Sequence, residues 1–212
     1  MNFEILSLES LLLFIACYIY GSIPYAYIFT YWLAKKRITS LGSGNIGVAN
    51  AFGVGGYKTG FLTVIGEASK AAIPLLLSIN LYDSDQNAAL IFLSAGILGT
   101  SYSLFLKGNG GQGGTVLLWG LLFLSPLIFL SFMAGFVCVY LISRKRYLTS
   151  VIAHLLLPVE IYLIDGNLGF IFFGIAAAIF YTLRYKPQRG DYAHYRNKMG
   201  FFKFFERTLG EK

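Results

Sequence analysis

Charge is scarce in this chain: Asp, Glu, Lys and Arg make up 13% of its 212 residues, about half the roughly 25% of an ordinary soluble domain. Cysteine is scarcer still. Cys17 and Cys138 both sit in apolar runs, which excludes a disulfide scaffold and reads them as small apolar fillers. The histidines are His154 and His194 alone, and neither an HxxxH nor a CxxC pattern occurs, so no zinc site is expected. The Walker A pattern GxxxxGK[ST] is absent, which removes the P-loop nucleotide enzymes. The opening MNFEILSLES carries no basic segment and no cleavage signature, so the first apolar run reads as a retained span and not as a signal peptide.

What is there is hydrophobic. Apolar residues account for 56% and mean hydropathy is +0.64. A soluble fold of this size has too little interior for that much apolar surface, which leaves an integral membrane protein. The net charge of +7 then reports orientation and contact with anionic lipid headgroups more naturally than nucleic acid, for which no folded basic platform is evident.

Apolar stretches cover 10–34, 57–80, 87–106, 115–143 and 147–183. The last is split by Asp165-Gly166-Asn167 and the fourth by Ser125-Pro126, giving seven membrane segments. Lys35, Lys36, Arg37, Lys58, Lys107, Arg144, Lys145, Arg146 and the tail from Arg184 fall on one side; Glu4, Glu9, Asp83, Asp85 and Asp165 fall on the other. The positive-inside rule predicts an all-α seven-segment bundle with its N-terminus outside and C-terminus cytoplasmic. Residues 1–190 form the membrane domain and 191–212 a basic-aromatic tail, whose FFKFFER run suits an interfacial helix.

Two loops on the basic side are glycine-rich: Gly42-Ser43-Gly44-Asn45-Ile46-Gly47-Val48-Ala49-Asn50, and Lys107-Gly108-Asn109-Gly110-Gly111-Gln112-Gly113-Gly114. Glycine permits close backbone approach, so successive N–H groups can converge on an anion, and each loop runs into an apolar segment whose helix N-terminus would favour a phosphate. Tight interhelical turns are the plainer reading of such loops. Glu67 and Lys70, three apart in the second segment, are placed to pair or to mark a functional interior. His154 is expected to hydrogen-bond between helices, and Glu160 to reach water near its segment's end.

The residues GSIP at 21–24, GSGNIGVAN at 42–50 and LTVIGEASKAAIP at 62–74 resemble the bacterial membrane acyl-phosphate:glycerol-3-phosphate acyltransferases of the PlsY type. That family runs GSIP, GSGNxGATN, LTxxxDxxKG and GHxxPxFxxFKGGKGVAT, and the likeness covers about residues 20–190. It implies a cell-membrane enzyme of phospholipid synthesis that takes acyl phosphate and glycerol 3-phosphate, or a related alcohol, with no metal and no other cofactor. Carried over residue by residue, it implies catalytic roles for Ser22, Ser43, Asn45 and Lys70. Substrate or phosphate binding would fall to Gly42, Gly44, Gly47, Asn50, Glu67, Thr100, Gly110, Gly111, Gln112, Gly113, Arg184 and Lys186. Glu67 stands where the family has Asp. Thr100 replaces a histidine, Asn109 and Gln112 replace lysines, and Thr39 replaces an arginine. Each missing charged phosphate contact costs on the order of 1.5–3 kcal/mol. A relative that kept the scaffold as a lipid-binding or assembly protein is the competing expectation.

Overall fold

The computed structural model describes residues 7–144 and 146–184. Lys186 and the tail 191–212 therefore lie outside the described residues. The described chain is all-helical: α1 (Leu8–Gly21), α2 (Tyr25–Ala34), α3 (Val48–Gly55), α4 (Tyr57–Leu81), α5 (Gln86–Ser101), α6 (Gly114–Leu124), α7 (Pro126–Ser143), α8 (Arg146–Ile164) and α9 (Leu168–Arg184), with short 3₁₀ turns at Ile38–Ser40 and Leu104–Leu106.

Polar caps set the helix boundaries at the acidic end. The side chains of Ser7, Asp85 and Ser125 accept from the backbone N–H of Ser10, Ala88 and Ile128, satisfying donors that a helix start leaves open. Asn167 does the same for Phe170 N–H at 3.1 Å, after a turn in which Gly166 takes φ +74°. Ser125-Pro126 and Asp165–Asn167 are the breaks that the sequence marks.

The first stretch, read as one segment, is two helices. Pro24 supplies no N–H and disfavours helical geometry at the residue before it, so α1 ends at Gly21 and α2 starts at Tyr25. The kink falls in the GSIP motif and puts Ser22 at a helix end.

α1 packs along α5, α4 lies against α3, α5 and α6, and α8 lies between α7 and α9. Leu93, Leu117, Leu121, Ile128, Leu157, Ile161 and Phe170 fill the core shared by α5 to α9. Outward, Leu12, Phe61, Leu130, Leu163 and Phe172 are exposed, an apolar periphery that only a bilayer covers. Leu8–Ala34, Tyr57–Leu81, Gln86–Leu106 and Pro126–Ser143 are long and apolar enough to cross it, with shorter apolar helices at Gly114–Leu124, Leu148–Ile164 and Leu168–Arg184. The protein is a multi-pass membrane protein.

Two expectations change. His154 Nδ1 lies 2.6 Å from the Ser150 carbonyl of its own helix, and its ring reaches α9 and α7 by packing on Tyr181 and Phe132. It packs helices together and, among the described residues, makes no hydrogen bond across them. Glu160 does not fully reach solvent: its Oε2 is buried with no hydrogen-bond partner among the described residues, and its Oε1 lies against Gly135 of α7, 3.0 Å from where a Cβ there would stand.

Candidate functional site

Three helix backbones meet at Gly96. A Cβ there would stand 2.9 Å from the Lys70 carbonyl, and one on Gly21 would stand 2.5 Å from the Gly96 carbonyl. Glycine alone allows this approach. It draws α1, α4 and α5 together and sets Ser22, Lys70 and Thr100 around one point.

Lys70 is 1% exposed and Glu67 4%. The Lys70 ammonium donates to Glu67 Oε1 at 2.9 Å and to Thr100 Oγ1 at 3.2 Å. Thr100 Oγ1 in turn donates to the Gly21 carbonyl at 3.1 Å. On a further side the ammonium lies 5.4 Å from the centre of the Tyr25 ring, within cation–π range. The three-residue spacing of Glu67 and Lys70 gives the pair its contact along one helix face. Breaking such a buried pair costs about 3–5 kcal/mol, because one charge is left uncompensated.

The glycine loops close over this pair. Gly111 packs directly on the Ile46 carbonyl, and Gly110 on the Thr100 and Ser101 carbonyls. Together they bound a cleft lined by Ser22, Ile23, Pro24, Ile46, Glu67, Lys70, Thr100, Ser103, Gly110 and Gly111. Its volume is about 10 Å³, room for roughly one water molecule.

Of the residues singled out in the sequence, Ser22, Glu67, Lys70, Thr100, Gly110 and Gly111 share this cleft. Arg184 sits at its rim, donating from Nη2 to the Ser101 carbonyl at 2.7 Å and the Gly111 carbonyl at 3.4 Å. Gly42, Ser43, Gly44, Asn45, Gly47 and Asn50 do not line it; their loop reaches it through Ile46. Gln112 and Gly113 lead from the cleft into α6.

The hydrogen bonds alter several expected roles. Asn50, 1% exposed, donates from Nδ2 to the carbonyls of Ile38, Leu41 and Asn45, and its Oδ1 accepts from Ser43 N–H. It is the clamp that shapes the first loop. Ser43 Oγ accepts from Asn45 N–H at 3.2 Å, so the backbone donors of Ser43 and Asn45 are used inside the loop. The N–H groups of Gly110 and Gly111 donate to Ser101 and Thr100 carbonyls, so these two do not point at an anion. Ser22 Oγ donates to the Tyr18 carbonyl at 2.8 Å. The helix starts remain: α3 and α6 follow the N-caps Gly47 and Gly113, with no side-chain cap among the described residues, and each therefore presents its first-turn N–H groups next to the loops.

Sequence reasoning missed Ser103 and Tyr25. Ser103 Oγ donates to the Ser22 carbonyl, pinning GSIP to the end of α5. Its spacing of three from Thr100 was the available signal. Tyr25 directly follows GSIP, but nothing in the sequence aims its ring at Lys70.

Residues 11–193 match the glycerol-3-phosphate acyltransferase family. A glycerol-3-phosphate acyltransferase of Syntrophotalea carbinolica is 35% identical over 158 residues, 74% of this chain and 80% of that one. One of Pelagibacter ubique is 30% identical over 184 residues, 86% of this chain and 94% of that one. In fold the chain is similar to the crystal structure of PlsY (YgiH), an integral membrane glycerol 3-phosphate acyltransferase, in its glycerol 3-phosphate form. The TM-score is 0.72 at 24% identity, over 83% of this chain and 88% of that one.

Proposed function

Because the chain belongs to the glycerol-3-phosphate acyltransferase family, we propose that it moves an acyl group from an acyl phosphate to glycerol 3-phosphate, making lysophosphatidic acid. The acceptor hydroxyl attacks the acyl carbon of the mixed anhydride. A carbon–oxygen bond forms, the acyl–phosphate bond breaks, inorganic phosphate departs, and the hydroxyl proton leaves with phosphate or water. Negative charge grows on the departing phosphate, so the reaction needs fixed cations and N–H donors more than a covalent nucleophile.

The observation that carries this reading is the Lys70 ammonium, fixed by Glu67 and Thr100 where both glycine loops close. It supplies the cation of the cleft, and Arg184 supplies a second at the rim. The uncapped starts of α3 and α6 add backbone donors. Two anionic substrates cannot enter a cleft of about 10 Å³, so binding separates the 42–47 loop from the 108–113 loop. At their contact Gly111, packed on the Ile46 carbonyl, brings no side chain to hinder that step.

The basic helix ends support seven crossings with these loops on the cytoplasmic face of a bacterial inner membrane, where anionic lipids meet Lys35, Lys36 and Arg37. The experiment is direct. Purified protein in detergent is given palmitoyl phosphate or palmitoyl-CoA with labelled glycerol 3-phosphate. Labelled lysophosphatidic acid should form with the acyl phosphate only. Product from the thioester alone, or from neither donor, overturns the reading.

A further inference from the structure

Tyr25 opens α2 directly after Pro24, and its ring lies against Gly66 of α4. A Cβ on Gly66 would stand 2.5 Å from the Tyr25 Cγ, so only glycine lets the ring in. The hydroxyl at the far end of the ring starts a chain of hydrogen bonds. Tyr25 Oη donates to Tyr20 Oη at 3.1 Å, Tyr20 Oη meets Ser69 Oγ at 2.8 Å, and Ser69 Oγ donates to the Gly66 carbonyl at 2.7 Å. A serine hydroxyl has a single proton, and Ser69 spends it on Gly66. Tyr20 therefore donates to Ser69, and the whole chain runs one way, from Tyr25 to α4. The ring and the end of its hydroxyl chain grip α4 at the same residue. Phe29, one turn further along α2, stacks on the ring at 5.8 Å.

Gly66, Ser69 and Lys70 are three and four apart, so they share one face of α4. The grip at Gly66 sets the Tyr25 ring 5.4 Å from the Lys70 ammonium. Lysine is a point charge on a flexible stem, so its place depends on what surrounds it. Glu67 belongs to the same helix as Lys70, whereas Thr100 stands on α5 and Tyr25 on α2. Among the described residues, Glu67 and Thr100 take two of the three N–H donors of the ammonium, and an aromatic face attracts the charge itself. Tyr25 does not line the cleft, so whatever it does there passes through Lys70.

Resting on the acyl-phosphate reading, we infer that Tyr25 is a positioning residue: its ring, tied down through Tyr20 and Ser69, holds the Lys70 ammonium at the cleft against the pull of Glu67. With the attraction of the ring weakened, the ammonium is drawn along α4 towards the carboxylate, and the cation that meets the departing phosphate is displaced.

A ring that merely fills space between α2 and α4 is indifferent to its own electrons, and this decides the experiment. Tyr25 is replaced in the full chain by phenylalanine and by its mono-, di- and trifluorinated analogues, which keep nearly the same shape while each fluorine drains the face of the ring. With palmitoyl phosphate as donor, kcat should fall stepwise with fluorine number, roughly ten-fold over the series, while KM for glycerol 3-phosphate stays constant. A kcat that ignores fluorine, or rises with it, overturns the assignment. A second measurement needs no turnover. The fluorine NMR resonance of the monofluorinated ring at position 25 is recorded with Lys70 and with Lys70→Met, which removes the charge and keeps the length. A control label replaces Tyr27, two residues on and so on the opposite side of α2. Displacement at 25 and not at 27 supports the contact. No displacement at 25, or an equal one at 27, overturns it. The expected NMR response in a protein that transfers no acyl group would instead sink the acyltransferase reading and leave Tyr25 holding Lys70.

Discussion

Lys70 donates to Thr100 Oγ1 at 3.2 Å, and the same hydroxyl donates onward to the Gly21 carbonyl at 3.1 Å. One threonine thus links the buried Lys70 on α4 to the GSIP corner on α1. The neutral Thr100 holds Lys70 in place, and on the proposed reading it acts on the reaction through that lysine. Thr100→Val removes the hydroxyl and keeps the shape. The loss of a hydrogen bond to a charged group, about 1.5–3 kcal/mol, corresponds to a roughly ten- to hundred-fold lower kcat. Thr100→Ser should stay near wild type. Equal kcat in all three proteins would remove Thr100 from the account.

Asn50 closes the first glycine loop through four hydrogen bonds. Asn50→Ala strips buried carbonyls of their donor at about 1–3 kcal/mol each. The expected result is faster proteolysis within 38–47 and a lower thermal midpoint. A variant as resistant as wild type would show that the loop keeps its shape without the clamp.

Gly96 is the point where α1, α4 and α5 touch. Gly96→Ala sets a methyl group 2.9 Å from the Lys70 carbonyl, so the helices must part. Overpacking of this kind costs typically about 1–3 kcal/mol, read as a lower thermal midpoint in detergent. No loss of stability would mean that the three helices have slack at this crossing.

Segregation of charge predicts topology. Cysteine tags at positions 84 and 166, introduced after removing Cys17 and Cys138, should react with an impermeant reagent from outside the cell. A tag at 108 should react only after the membrane is opened. Reaction of 108 from outside would reverse the bundle.

Much of this was legible in the sequence. Apolar length marked the runs that hold α4 to α9, while the break between α1 and α2 and the helix α3, which lies between two apolar runs, were not separated. Ser125-Pro126 and Asp165–Asn167 marked turns because cap and turn chemistry is local. The pairing of Glu67 with Lys70 followed from helix spacing. The rest depended on contacts between distant segments. The donors of Gly110 and Gly111 are used by α5 carbonyls, which no loop composition announces. Asn50 proved to be a clamp because the chain folds back on it from Ile38 and Leu41.

The most direct test compares wild type with Lys70→Met in one assay: release of inorganic phosphate from palmitoyl phosphate, and formation of lysophosphatidic acid from glycerol 3-phosphate, by folded protein in the same detergent. With Lys70 as the cation of the cleft, the wild type makes both products in equal amounts. The variant should fall by about a thousand-fold or more, on the scale of about 4 kcal/mol of lost transition-state stabilisation. Folded Lys70→Met that still turns over within ten-fold of wild type would contradict the account.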